Sequence, residues 1–192
     1  MTAWCDISGI TEWGTPQNVT AVNRDQDMMN REITEEWLHT HYELIRKYDP
    51  DHLIYGDKIG WGFMGPGWGQ PEWIWDVVRK YVDVIMIQSY DFYTPQHEEH
   101  LQIVHQSTGK PVINGDHGYG FVGPNMNDCK GIKVDSLEAM GLEYARYLKG
   151  IMNMPYMIGW QFCGYLETWS GNTDNTGKEQ WGFFDPFANP HA

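Results

Sequence analysis

This 192-residue chain has few cysteines, few basic residues and no long apolar run. The three cysteines are Cys5, Cys129 and Cys163, and none stands in a C-x-x-C pair. That spacing excludes a thiolate zinc knuckle or a dithiol redox motif, and the odd count leaves at least one thiol free or paired between chains. Lys and Arg number 13 against 26 Asp and Glu, a formal charge of −13. A surface of that sign repels phosphate backbones and offers no lysine patch to an anionic bilayer, so neither nucleic acid nor membrane is an expected partner. No stretch approaches the roughly 20 apolar residues of a membrane span. The opening MTAWCDISG lacks the basic and apolar regions of a secretion signal, so it is not expected to act as one.

Other chemistries are missing too. There is no G-x-S-x-G elbow for a serine hydrolase and no H-E-x-x-H pattern for a zinc hydrolase. His39, His41, His97, His100 and His105 fall on predicted helices without carboxylate partners at ligand spacing. No metal and no other cofactor is expected. GFMGPGWG (62–69) is glycine-rich, but Pro66 and two aromatics interrupt it. No helix opens where a phosphate-binding turn needs one, which argues against a nucleotide site.

What is present is aromatic and periodic. The chain holds 10 Trp and 11 Tyr, more than one core needs. Trp is awkward to bury fully, and surplus Trp and Tyr suit a surface that stacks on flat apolar faces, such as those of sugar rings. Apolar residues at helical spacing predict helices over 31–48, 71–81, 94–107 and 135–152. In the first of these, Ile33, Trp37, Leu38, Leu44, Ile45 and Tyr48 form the apolar set. Thr94 reads as an N-cap, Gly109 as a stop, and Asp135 with Glu138 as a capping box. Short apolar runs predict strands near 53–57, 82–88, 111–116 and 156–163. The predicted order is a helix, three strand–loop–helix units and a last strand, which implies a parallel α/β sheet covered on both faces. The loops after the strands are long and rich in Trp, Gly and acids, whereas the turns before them are short. In such folds the working edge lies at the C-terminal strand ends.

Acids gather at those ends. Asp57 and Asp116 close apolar runs, Asp6 does so in AWCD, and Gln88 and Tyr90 follow the second strand. A strand-end Asp can simply cap the backbone N–H groups of the next loop. Carboxylates, an amide and aromatics converging on one rim also supply what sugar chemistry needs: acid, base or nucleophile beside a stacking platform. His117, next to Asp116, could orient that carboxylate, bond a sugar hydroxyl or be structural.

The segments YDPDHLIYGDKIGWG (48–62), YVDVIMIQSYDFY (81–93), GKPVINGDHGYGF (109–121) and PYMIGWQFCGYLE (155–167) resemble, in this order, the last four strands of a (β/α)8-barrel glycoside hydrolase. The likeness is to the β-agarase-like part of the retaining clan (clan A), and it spans about residues 30 to 187, ending on WGFFDPFANP (181–190). It implies that residues 1–192 form one domain, the C-terminal half of a TIM-type barrel with about four parallel strands. It further implies a hydrolase of galactan-like, agar-type carbohydrate. Asp116 takes the nucleophile position, where the clan usually has Glu. Asp is one methylene shorter, so its carboxylate sits about 1.5 Å further back. Retaining chemistry needs its carboxyls roughly 5–5.5 Å apart, and a wider gap favours inversion. The clan's acid/base follows an Asn-Glu pair, and no such pair occurs in this chain. Asp6 takes that place by resemblance, with Glu12 second. Tyr90 resembles the Tyr that bonds the nucleophile, Gln88 a substrate-facing amide, and Trp160 the Trp under the bound sugar. Asp57, Trp61, His117, Glu167 and Trp169 complete the expected carbohydrate-binding rim. A half barrel is expected to be unstable alone, to self-associate or to require an N-terminal half. The alternative is a catalytically degenerate, carbohydrate-binding barrel. Secretion or periplasmic export is implied by the resemblance only.

Overall fold

The computed structural model describes residues 18–59, 71, 73–121, 132–164, 184 and 187–190. Helix α1 (Val19–Tyr48) opens where the Asn18 side chain accepts the Ala21 N–H, and it ends at Asp49, the residue before Pro50. It begins well before the predicted residue 31, because residues 19–30 carry no Gly or Pro and have a cap ahead of them. Helix α2 (Trp73–Tyr81) buries Ile74, Trp75, Val77 and Val78. Strand β1 (Ile85–Ile87) follows and leads to helix α3 (Pro95–Thr108). Thr94 caps α3 by accepting the His97 N–H, and Gly109 ends it at φ 68°, a left-handed turn that glycine enters without strain.

Strand β2 (Val112–His117) comes next, then β3 (Gly120–Phe121), β4 (Lys133–Val134), helix α4 (Leu137–Ile151) and strand β5 (Met157–Phe162). The α4 cap is Ser136, which accepts the Ala139 N–H, and not the expected Asp135. The predicted long loop after β2 contains a small two-stranded parallel pair, β3 with β4. Its two-residue strands are too short to show any periodicity in sequence.

The main sheet runs β1-β2-β5, all parallel. The expected strand over 53–57 is not formed as such, but residues 53–59 do lie beside β1. The Asp83 carboxylate accepts the Ile54 N–H at 2.8 Å, and the Ile54 carbonyl accepts from Asp83 and Val84. Gly56 then turns at φ 69°, and ladder pairing resumes only at Ile59, opposite Ile87. Arg46 of α1 pairs with the same Asp83 carboxylate, which ties helix, segment and β1 together at the N-terminal edge. The core lies between sheet and helices: Val77, Ile85, Ile87, Leu101, Val104, Val112, Tyr147 and Ile151 are all fully buried.

The apolar set of α1 stands at helical spacing but is mostly not buried. Only Leu38 is buried, whereas Ile33, Trp37, Leu44, Ile45 and Tyr48 are exposed. Amphipathic spacing made the helix, but among the described residues little packs against most of its apolar face.

Candidate active site

The parallel segments bring their C-terminal ends to one edge, and there the side chains converge on Asp116. Strand β2 ends in Asn114, Gly115, Asp116 and His117, all buried. Asn114 lies opposite Trp160 and His117 opposite Phe162, so three steps on β2 face two on β5. Such a bulge interrupts the in–out alternation of a strand and re-aims its side chains. Asn114 and His117, three residues apart, consequently both reach the Ser89 carbonyl.

Each neighbouring segment supplies a donor to the Asp116 carboxylate. Lys58, next to Ile59, donates to Oδ2 at 2.8 Å. Gln88, just past β1, donates its side-chain amide to Oδ2 at 2.7 Å, and Tyr90 donates its hydroxyl to Oδ1 at 2.6 Å. The Cys163 thiol, just past β5, adds a further donor. Burial by itself would raise the Asp116 pKa. The Cys163 thiol, the Lys58 ammonium and the Tyr90 hydroxyl outweigh it and hold the carboxyl below its ordinary range. Tyr90 is shifted the other way, mainly by burial and then by Asp116, so it stays protonated and a donor. The carboxylate is therefore charged at neutral pH. It can act as a base or a nucleophile, but it has no proton to give as an acid.

A second network backs this one. His117 donates Nδ1–H to the Ser89 carbonyl at 2.9 Å, which leaves a lone pair on Nε2. That Nε2 is buried with no hydrogen-bond partner among the described residues. Burial drives the His117 pKa down to about 4. Its ring stacks on Tyr147 at 4.0 Å and meets Tyr119 edge-on at 4.9 Å. Asn114 accepts the Ser89 N–H and donates to both the Ser89 carbonyl and the Tyr147 hydroxyl, and that hydroxyl lies 3.1 Å from His97 Nε2. His97 is fully enclosed and pushed down to about 3 by burial. His117 and Asn114 thus fix Ser89, and with it the turn that carries Gln88 and Tyr90, while His97 backs Asn114 through the Tyr147 hydroxyl.

Of the residues singled out by sequence, Asp116, Gln88, Tyr90 and His117 come together. Two others lie apart. Asp57 is exposed, and its carboxylate accepts the Trp37 indole N–H at 2.6 Å, so Lys58 rather than Asp57 reaches the cluster from that segment. Trp160 meets Tyr144 of α4 edge-on at 4.5 Å and Phe162 at 6.3 Å, contacts that lie on the helix side of the sheet. Asp6, Glu12, Trp61, Glu167 and Trp169 lie outside the described residues. Sequence reading passed over Lys58, Ser89, Asn114, Tyr147 and Cys163. Cys163 and Lys58 had a usable signal, being polar residues at predicted strand ends. Asn114 and Tyr147 had none, since a polar residue inside a strand and a Tyr within a predicted helix carry no mark of a hydrogen-bond network.

Among the described residues, no group of three or more His, Cys, Asp or Glu is placed to hold a metal ion, and no helix is long and apolar enough to cross a membrane. No family model and no curated protein sequence matches the chain. Solved structures do. The chain is similar to an exo-β-agarase with a TM-score of 0.72 and 21% identity, over 92% of this chain and 23% of that one. An agarase matches with a TM-score of 0.70 and 20% identity, over 92% of this chain and 26% of that one. A β-glucuronidase from Bacteroides uniformis matches with a TM-score of 0.59 and 16% identity, over 83% of this chain and 19% of that one. The chain spans about a quarter of the length of the agarases. The described α/β architecture, with its parallel strands, is similar to that of these glycoside hydrolase structures.

Proposed function

We propose that the chain is the C-terminal half of a (β/α)8-barrel glycoside hydrolase of the retaining clan, agarase-like, acting on a galactan-like polysaccharide or its oligosaccharides. The observation that carries this reading is the Asp116 carboxylate, charged and enclosed, held by donors from adjacent parallel segments at their C-terminal ends. That edge is where barrel enzymes assemble their chemistry. A fixed, ionised carboxylate can attack an anomeric carbon or take a proton from the attacking water. Tyr90 aims the group by donating its hydroxyl to Oδ1. Asp6 is the partner acid, with Glu12 second. The agarases supply the substrate class by likeness of fold.

The test is hydrolysis of agarose and carrageenan oligosaccharides by the chain and by Asp116→Asn. Loss of a positioned carboxylate is expected to lower the rate by roughly 10²–10⁴-fold. Equal rates would sink the assignment. The anomer formed first, read by proton NMR, separates retention from inversion.

The second reading is a degenerate barrel that binds carbohydrate without cleaving it. It is favoured by the missing Asn-Glu pair and by Asp standing where the clan has Glu. Oligosaccharide binding that survives Asp116→Asn, with no product in either protein, would select it.

A further inference from the structure

Lys58 belongs to the segment that carries Ile59, and its backbone is anchored there. The Ile59 N–H donates to the Met86 carbonyl at 3.0 Å, and the Gln88 N–H donates to the Ile59 carbonyl at 3.0 Å. Gln88 is thus bonded twice: through its backbone to the residue after Lys58, and through its side chain to Asp116. The two donors that converge on Oδ2 reach it from one hydrogen-bonded backbone frame, so sheet pairing sets the points from which both side chains extend. A carboxylate oxygen has two lone pairs, and Lys58 at 2.8 Å and Gln88 at 2.7 Å use both on Oδ2. Oδ1 carries Tyr90.

We infer that Lys58 is the positioning residue for Asp116: with Gln88 it pins Oδ2 and so fixes the orientation of the carboxylate at the C-terminal edge of the sheet. The inference rests on the proposed role of Asp116 for its place in a reaction, but the pairing itself can be tested without turnover. Lys58 is also the cation of the site. Among the described residues, the other groups facing Asp116 are Gln88 and Tyr90 from the turn after β1, the neutral His117 on β2 and the Cys163 thiol after β5. None of these carries a positive charge. In a chain with 26 acids and 13 bases, this one lysine offsets the charge of the enclosed carboxylate.

The experiment is a carbon-13 NMR titration of the Asp116 side-chain carboxyl in the full chain, assigned by the signal that vanishes in Asp116→Asn. Wild type, Lys58→Met and Lys58→Arg are compared, with far-UV circular dichroism to confirm folding. Removing a cation at this distance is expected to raise the midpoint by about one unit or more. Arg retains the charge and is expected to stay near wild type, which a merely space-filling role would not predict. If the chain hydrolyses galactan oligosaccharides, the acid limb of kcat/KM moves up in Lys58→Met by the same amount. An unmoved Asp116 midpoint in Lys58→Met overturns the inference. A shifted midpoint in a chain that cleaves no oligosaccharide supports the Lys58 pairing and counts instead against hydrolysis by this chain on its own.

Discussion

Asp116, Asn114 and the two buried histidines are the residues on which the site depends, and each fails differently when altered. Asn114 satisfies the Ser89 N–H, the Ser89 carbonyl and the Tyr147 hydroxyl at once. Truncation to Ala takes the acceptor from the buried Ser89 N–H, while the Ser89 carbonyl keeps His117 and the Tyr147 hydroxyl keeps His97, and unfolding in urea is expected to show a loss of about 1–3 kcal/mol. His97 and His117 set the acid response. Their folded pKa values, about 3 and about 4, lie below the ordinary histidine value. Below about pH 6.5 the unfolded chain binds protons that the native state refuses, so stability falls as pH falls toward 4, by about 1.4 kcal/mol per unit per histidine. Asp116 acts in the same direction but lower: its folded pKa is depressed, so its contribution is lost only as pH drops through the acidic range of that carboxyl. Urea midpoints measured between pH 7 and 4 check this. Replacing His117 with Gln is expected to flatten the slope, and an unchanged slope would refute the assignment.

At the scale of elements, the sheet edge is held by contacts from the helices behind it. Gly150 near the end of α4 is one such contact. A β-carbon there would lie 2.3 Å from the Tyr93 ring, which follows the Tyr90 turn and meets Tyr147 edge-on at 6.3 Å. Gly150→Ala must therefore push Tyr93 aside, and a loss of about 1–3 kcal/mol is expected from overpacking. The same displacement reaches the turn that holds Tyr90, so the hydrolysis proposed above should fall with stability, whereas Gly141→Ala, which meets nothing within 4 Å on the same helix, should leave both near wild type. Helix α1 raises a different point. Its spacing was legible, but its burial was not, because a helix stripe records only that a partner exists. The strand over 53–57 was misplaced for a related reason: Gly56 and the Asp83 cap move the pairing to Ile59, and neither long-range contact leaves a local pattern.

At the scale of the molecule, the three-stranded sheet has two outer edges. Among the described residues, β5 pairs only with β2, and residues 53–59 pair only with β1. Ile158 on β5 and Leu53 on the opposite flank are exposed, as is most of the apolar face of α1. Unpaired strand edges with apolar faces recruit other strands. We propose that the chain either self-associates or closes against an N-terminal half supplied from elsewhere. Size-exclusion chromatography with light scattering at micromolar concentration is expected to show an assembly larger than 22.3 kDa. A monomer with a cooperative thermal transition would count against the half-barrel reading.

Local chemistry was enough to read the alternation of helices and parallel strands, the Thr94 and Gly109 ends of α3, and Asp116, Gln88 and Tyr90 as strand-end groups. Periodicity, caps and turn residues act over a few residues, so sequence carries them directly. The third dimension chose among those strand-end groups. It set Lys58 on Asp116, turned Asp57 to Trp37, packed Trp160 on Tyr144 and enclosed His117 against Tyr147. Those choices follow from a bulge in β2 and from pairing between segments distant in sequence, and the ionisation of Asp116 follows from them in turn, because a pKa depends on what surrounds the group in space.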